Sequence, residues 1–308
     1  MNEDVEVLAK VISSLQPTTD YMKDYIFPGS LAFISALMGG VVAMRINRHQ
    51  ELMKMAKDNF SASNNTFVLA HECLNHLVST KANYLDITFD EPLYRAIRYP
   101  LMVLKNIEVK FSATSLYFVR AVPTANKPFF ESIKWHIKHK LLKLEIKTPP
   151  PEELAHSWRN TVRVSAMFDN YNLIQECLRI RNELYEQIRE PLSKIDTSEL
   201  QSFEELTPIL GKRLCGALVD ITETIIALTD HVIKELHLFL LEFPAIAESN
   251  IELKRIREWG RLPTYQNMKP RFLECLKPLA KPDYKRLAAY VGISEEEAIK
   301  RYTYSDWA

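Results

Sequence analysis

From Tyr25 to Met44 the chain reads YIFPGSLAFISALMGGVVAM, twenty residues without a charge, closed by Asp24 on one side and Arg45 on the other. As a helix, that run spans about 30 Å, the thickness of a bilayer's hydrocarbon core. It holds Gly29, Gly39 and Gly40, three of the chain's seven glycines. Inside a helix in water each glycine costs roughly 1 kcal/mol against alanine. In lipid, small residues let two helix backbones approach closely. The run therefore predicts a single transmembrane helix over residues 25–44. The competing reading is a core helix of a soluble protein, which Ser30 and Ser35 also permit.

The flanks predict an orientation. Glu3, Asp4, Glu6, Asp20 and Asp24 precede the helix against only Lys10 and Lys23, whereas Arg45, Arg48, Lys54 and Lys57 follow it. Basic residues close to a membrane helix favour the cytoplasmic side. The N-terminus is expected outside, the C-terminal part in the cytoplasm, and those four basic side chains at the lipid headgroups. A cleaved signal peptide is not expected, because the leading segment is acidic and Met44-Arg45 stands where small residues would be needed. Cys73, Cys177, Cys215 and Cys275 are scattered without a CxxC pair, as free thiols in a reducing compartment would be.

Composition limits the remainder. Lys and Arg number 39 and Asp and Glu number 39, so no overall field recruits nucleic acid. Scarce glycine leaves little material for the tight turns of an all-β fold. The expected fold is all-α: a short extracytoplasmic amphipathic segment (1–24), the transmembrane helix (25–44), a juxtamembrane helical region (45–148) and a C-terminal helical bundle (149–308).

Residues 3–16 carry Val5, Leu8, Ile12 and Leu15 at the spacing of one helix face. After Met44 helical periodicity continues, with a break expected at Ser61–Asn65. Residues 86–92 read as a loop, and LMVLKNIEVKF (101–111) fits helix or strand. Asn126 and Pro128 start a helix carrying Phe130, Ile133, Ile137, Leu141 and Leu144, and Pro149-Pro150-Pro151 marks a linker. Two long helices follow. One runs from Glu152 to Glu190, with a seam through Trp158, Val162, Ser165, Ile174, Cys177, Leu184 and Ile188. The other runs from Pro208 to Phe243 through Leu214, Leu218, Ile221, Ile225, Leu228, Val232 and Leu236, and Pro191 and Pro244 end them. An antiparallel pair at the core of a bundle is the expectation.

Motifs for chemistry are scarce. His71 and His76 suggest the HExxH of zinc peptidases, but five-residue spacing turns them about 140° apart on a helix instead of onto one face. His231 and His237 share no face cleanly. No GxGxxG, GxxxxGK[ST] or GxSxG occurs. The Arg45–His49 and Arg48-His49 pairs lie at the membrane edge and give poor support for RNase-type chemistry. Neither a metal nor a cofactor is expected. Lys134–Lys147 is basic and amphipathic, which suits a helix on anionic lipid, a helix on an acidic partner or, the favoured reading, a core-facing helix with a solvated face. Lys285–Tyr302 resembles a helix-turn-helix around Gly292. Its second helix opens with Glu295, Glu296 and Glu297, which would repel phosphates, so a structural hairpin is expected and nucleic acid is not.

Two rows of small residues four apart, Ala32–Ala36–Gly40 and Ser35–Gly39–Ala43, fit close helix–helix contact in lipid. The functional expectation is a self-associating membrane protein whose cytoplasmic part docks or senses a protein partner. That layout resembles bacterial effectors that perturb the membrane on an intracellular trigger. A membrane-anchored enzyme with a helical active site, or a tethered DNA-binding regulator, is the alternative. An enzyme would show a buried charged cluster in a bundle cleft.

Overall fold

The computed structural model describes residues 3–14, 22, 26–103, 108–120, 133, 137, 151–194 and 203–303. Among these the fold is all-α, with ten α-helices, short 3₁₀ turns and no strand. The helices are α1 (Glu3–Ser14), α2 (Phe27–Lys81), α3 (Pro92–Arg98), α4 (Pro151–Ala155), α5 (Thr161–Ser193), α6 (Phe203–Leu210), α7 (Lys212–Asn250), α8 (Pro270–Leu276), α9 (Tyr284–Val291) and α10 (Glu295–Thr303). The segment Lys134–Lys147, the Asn126 and Pro128 helix start, and Pro149-Pro150 lie outside the described residues, apart from Ile133 and Ile137.

The chain divides into two units, Met1–Met55 and Ala56–Ala308. In the first, α1 and the apolar part of α2 are helical and exposed. In the second, α2 shows buried Ala56, Phe60, Ser63, Phe67, Ala70, Leu74 and Leu77, alternating intervals of four and three that keep one face inward. The break expected at Ser61–Asn65 is not there. Ser63 is buried, and its hydroxyl bonds the Asn59 carbonyl at 2.9 Å; Thr66 bonds that of Ala62 at 2.8 Å. These polar side chains are thus satisfied within the helix, which continues through them.

The long pair α5 and α7 is antiparallel, as expected. Arg163 near the start of α5 meets Glu235 late in α7 at 2.9 Å, while Ile188 near the end of α5 shares a core with Cys215, Leu218 and Val219 early in α7. Their limits differ from the sequence reading. A turn at Ser157–Asn160 separates α4 from α5, and Asn160 caps α5 by accepting from Val162 N. The new start shifts the seam: Val164, Phe168 and Tyr171 face inward, while Val162 is 71% exposed. Pro191 lies inside the last turn of α5, and Pro244 lies inside α7, which runs on to Asn250. Phe239, Phe243, Pro244 and Ala247 are all buried there, so packing outweighs the hydrogen bond that proline removes. Pro208 belongs to α6. The division falls at Gly211, whose φ of 86° ends α6 and opens α7 in a conformation that suits glycine.

Residues 86–90 form a loop without a strand, and 101–103 and 108–112 are irregular, leading to a 3₁₀ turn over Ala113–Arg120. Buried Arg181 of α5 closes the end of α3. It donates to the carbonyls of Ala96 (3.0 Å) and Tyr99, placing a cation at a helix C-terminus. Desolvation there lowers its pKa to about 10. The C-terminal residues form the expected hairpin, α9 and α10 around Gly292.

Candidate functional site: a cleft beside two buried ion pairs

Glu223 and Asp230 sit on an otherwise apolar stripe of α7, Val219–Glu223–Ile226–Asp230–Ile233, again at intervals of four and three. Arg95 from α3 grips Glu223 through two bonds, Nε to Oε1 at 2.6 Å and Nη2 to Oε2 at 3.2 Å. Neither side chain sees solvent beyond 2%. Lys81, the last residue of α2 and fully buried, meets Asp230 Oδ1 at 2.5 Å.

The spare bonding capacity of both pairs goes mostly to one stretch of backbone, residues 277–280. Arg95 Nη1 donates to Ala280 O at 2.7 Å and to Phe89 O at 2.9 Å. Lys81 Nζ donates to Lys277 O at 2.5 Å, and Leu279 N donates to Asp230 Oδ2 at 2.8 Å. Residues 277–282 (KPLAKP) hold two prolines, Pro278 and Pro282, and two lysines, Lys277 and Lys281, and form no helix. The two ion pairs fasten this segment along α7. Glu91 ties down the hairpin in the same way, accepting from Tyr94 N at 2.6 Å and from Tyr290 Oη at 2.7 Å.

Between α7, this segment and the hairpin lies an open cleft of about 580 Å³. That falls within the usual range for small-molecule sites. Ile226, Leu276 and Leu279 give it apolar walls, Tyr284 and Tyr302 line the hairpin side, and His231, Lys234 and Lys281 stand at its edge. Tyr302 Oη donates to Asp220 Oδ1 at 2.6 Å, and Arg301 pairs with the same carboxylate at 2.9 Å. Burial raises the pKa of Glu223 and of Asp230, and the facing cation pulls each back down. Glu223 is occupied by the Arg95 guanidinium and Asp230 by Lys81 and the Leu279 N–H, so the cluster works as a clamp. This cluster, absent from the sequence reading, draws on residues as far apart as Lys81 and Ala280.

The other predicted positions can now be placed. Ala32, Ser35, Ala36, Gly39, Gly40 and Ala43 are all exposed on α2. A Cβ added at Gly39 or Gly40 would meet nothing within 4 Å. Arg45, Arg48 and Lys54 are exposed. Lys57 pairs with Glu258 at 3.8 Å and lies over the Trp259 ring at 5.4 Å. His71 is beside Asn75 and the Tyr265 ring, whereas His76 meets Tyr171 Oη at 3.0 Å, so the two imidazoles serve different contacts. His237 packs against the rings of Tyr265 and Phe272. Among the described residues no three His, Cys, Asp or Glu gather in a metal-holding group. Comparison with known protein families, with curated proteins and with solved structures finds no match.

Proposed function

We propose that the chain is a single-pass membrane protein. In this reading residues 25–44 cross the bilayer, the N-terminus is outside, and Ala56–Ala308 folds in the cytoplasm. Copies associate through Ala32, Ser35, Ala36, Gly39, Gly40 and Ala43, and Arg45, Arg48 and Lys54 reach the headgroups. The helical bundle docks or senses an intracellular partner, and the membrane helix carries the response.

One observation carries this reading. The most apolar 18-residue window of α2 has a mean hydropathy of 1.7 and none of it is buried. Phe27, Leu31, Phe33, Ile34, Leu37, Met38, Val41, Val42 and Met44 are each more than half exposed, on every side of the helix. A core helix of a soluble protein buries such side chains, and each is worth about 1.5–3 kcal/mol when removed from water. A bilayer supplies that burial with the helix backbone bonds already internal. The open space at Gly39 and Gly40 suits a second helix against them.

Alkaline carbonate extraction of membranes from expressing cells tests the first half. The full chain stays in the pellet and a variant lacking residues 26–44 moves to the supernatant. Release of the full chain would sink the membrane reading. Crosslinking in membranes tests the second half: the wild type gives oligomers and Gly40→Leu loses them, while the bundle's thermal midpoint stays put.

A further inference from the structure

We propose that the cleft between α7 and residues 277–282 binds a small organic anion with a ring-bearing body, of the class of an aryl or nucleoside phosphate. The inference rests on the sensing half of the functional reading and is independent of the membrane half.

Charge decides the sign of the ligand. The two carboxylates beside the cleft are already neutralised, Glu223 by Arg95 and Asp230 by Lys81. What remains on the lining is Lys234 from α7 and Lys281 from the proline-rich segment, both exposed and contributed by different walls. Exposed lysines bind anions weakly in open water, but a cleft with low-dielectric walls concentrates their field. His231, half-buried at the same edge, is held neutral by desolvation, so it presents a polar group without adding to that charge.

The interior decides the rest of the molecule. Besides the lysines the walls include Ile226, Leu276 and Leu279, with Tyr284 and Tyr302 on the hairpin side. Such a surface rewards an apolar or planar body and gives a bare inorganic ion little to hold. The volume of about 580 Å³ admits a group the size of a mononucleotide and no folded chain. The same segment that lines the cleft is pinned by the buried pairs through Lys277 O, Leu279 N and Ala280 O, so the site is rigid before any ligand arrives.

Calorimetry on the full chain in nanodiscs tests this with matched probes. AMP and 4-nitrophenyl phosphate should bind saturably, adenosine and inorganic phosphate at least roughly tenfold more weakly, and affinity should fall with added salt. Lys234→Gln and Lys281→Gln should each weaken binding by roughly five- to tenfold, while Lys254→Gln, exposed elsewhere, changes nothing. Thermal midpoints of the variants confirm that they fold. Absence of saturable binding by both phosphates, or binding equal in wild type and both cleft variants, would overturn the proposal. Carbonate extraction of the expressing-cell membranes separates that failure from failure of the membrane reading.

Discussion

Glu223 and Asp230 stand seven residues apart on one face of α7, and each draws a fully buried cation from a different element, Arg95 from α3 and Lys81 from the end of α2. Two turns of helix thus hold three other parts of the chain, because each cation also binds a carbonyl of residues 277–280. Desolvating such ions is expensive, and attraction repays it only when geometry and hydrogen bonding are complete. Here they nearly are.

Removing one partner exposes that cost. Arg95→Met leaves Glu223 buried without its cation and two hydrogen-bond donors, and should destabilise the bundle by about 3–5 kcal/mol. Arg95→Met combined with Glu223→Met should recover much of the loss, since a well-packed apolar pair often replaces a buried ion pair at little cost. Denaturant unfolding of both variants checks this; equal instability of the single and double variants would argue against a paired role.

Mild acid should weaken the bundle through its histidines. Desolvation depresses the pKa of both His231 and His237 below the ordinary value near 6.5. The unfolded chain therefore takes up protons first. This stabilisation is fully present above about pH 6.5 and is lost as pH falls through the depressed folded values. His237→Phe keeps a ring against Tyr265 and Phe272 and removes the titration, so the slope of stability between pH 7 and 5 should flatten. An unchanged slope would place the titration elsewhere.

Close packing sets a demand at one glycine of α7. A Cβ at Gly216 would lie 2.8 Å from the backbone oxygen of Tyr290 in α9, so Gly216→Ala forces hairpin and helix apart. Overpacking of this kind costs about 1–3 kcal/mol. Gly40→Ala meets nothing within 4 Å and should leave the bundle's thermal midpoint unchanged. A comparison of the two midpoints distinguishes a glycine required by the fold of one chain from a glycine that is not.

Much of the architecture was legible because it follows from local pattern. The long exposed apolar run, the antiparallel pair and the C-terminal hairpin all rest on helical periodicity and turn residues. Helix limits were less so. Pro244 reads as a stop, yet burial of Phe239, Phe243 and Ala247 around it carries α7 onward to Asn250. The ion-pair cluster needed contacts spanning almost 200 residues, such as Lys81 to Lys277. One clue was available in the sequence: Glu223 and Asp230 interrupt an apolar four–three stripe, where a charge demands a buried partner. Reading α7 along its richest apolar seam, through Leu218, Ile225 and Val232, passed over that second stripe.

The four cysteines give a probe of the folded state that needs no added label. Cys73, Cys177, Cys215 and Cys275 are all buried, at 2%, 7%, 1% and 0% exposure. Burial also raises the pKa of Cys177, Cys215 and Cys275, so the reactive thiolate is scarce as well as shielded. Reaction with an aromatic disulfide at pH 8 should then wait for opening of the bundle, roughly a thousandfold or more slower than in denaturant. Arg95→Met should speed all four thiols together if its ion pair supports the bundle as one cooperative unit. Acceleration confined to Cys275, which lies on α8 beside the fastened segment, would mean that only residues 270–282 detach. One thiol reacting at once in the native wild type would contradict the burial itself.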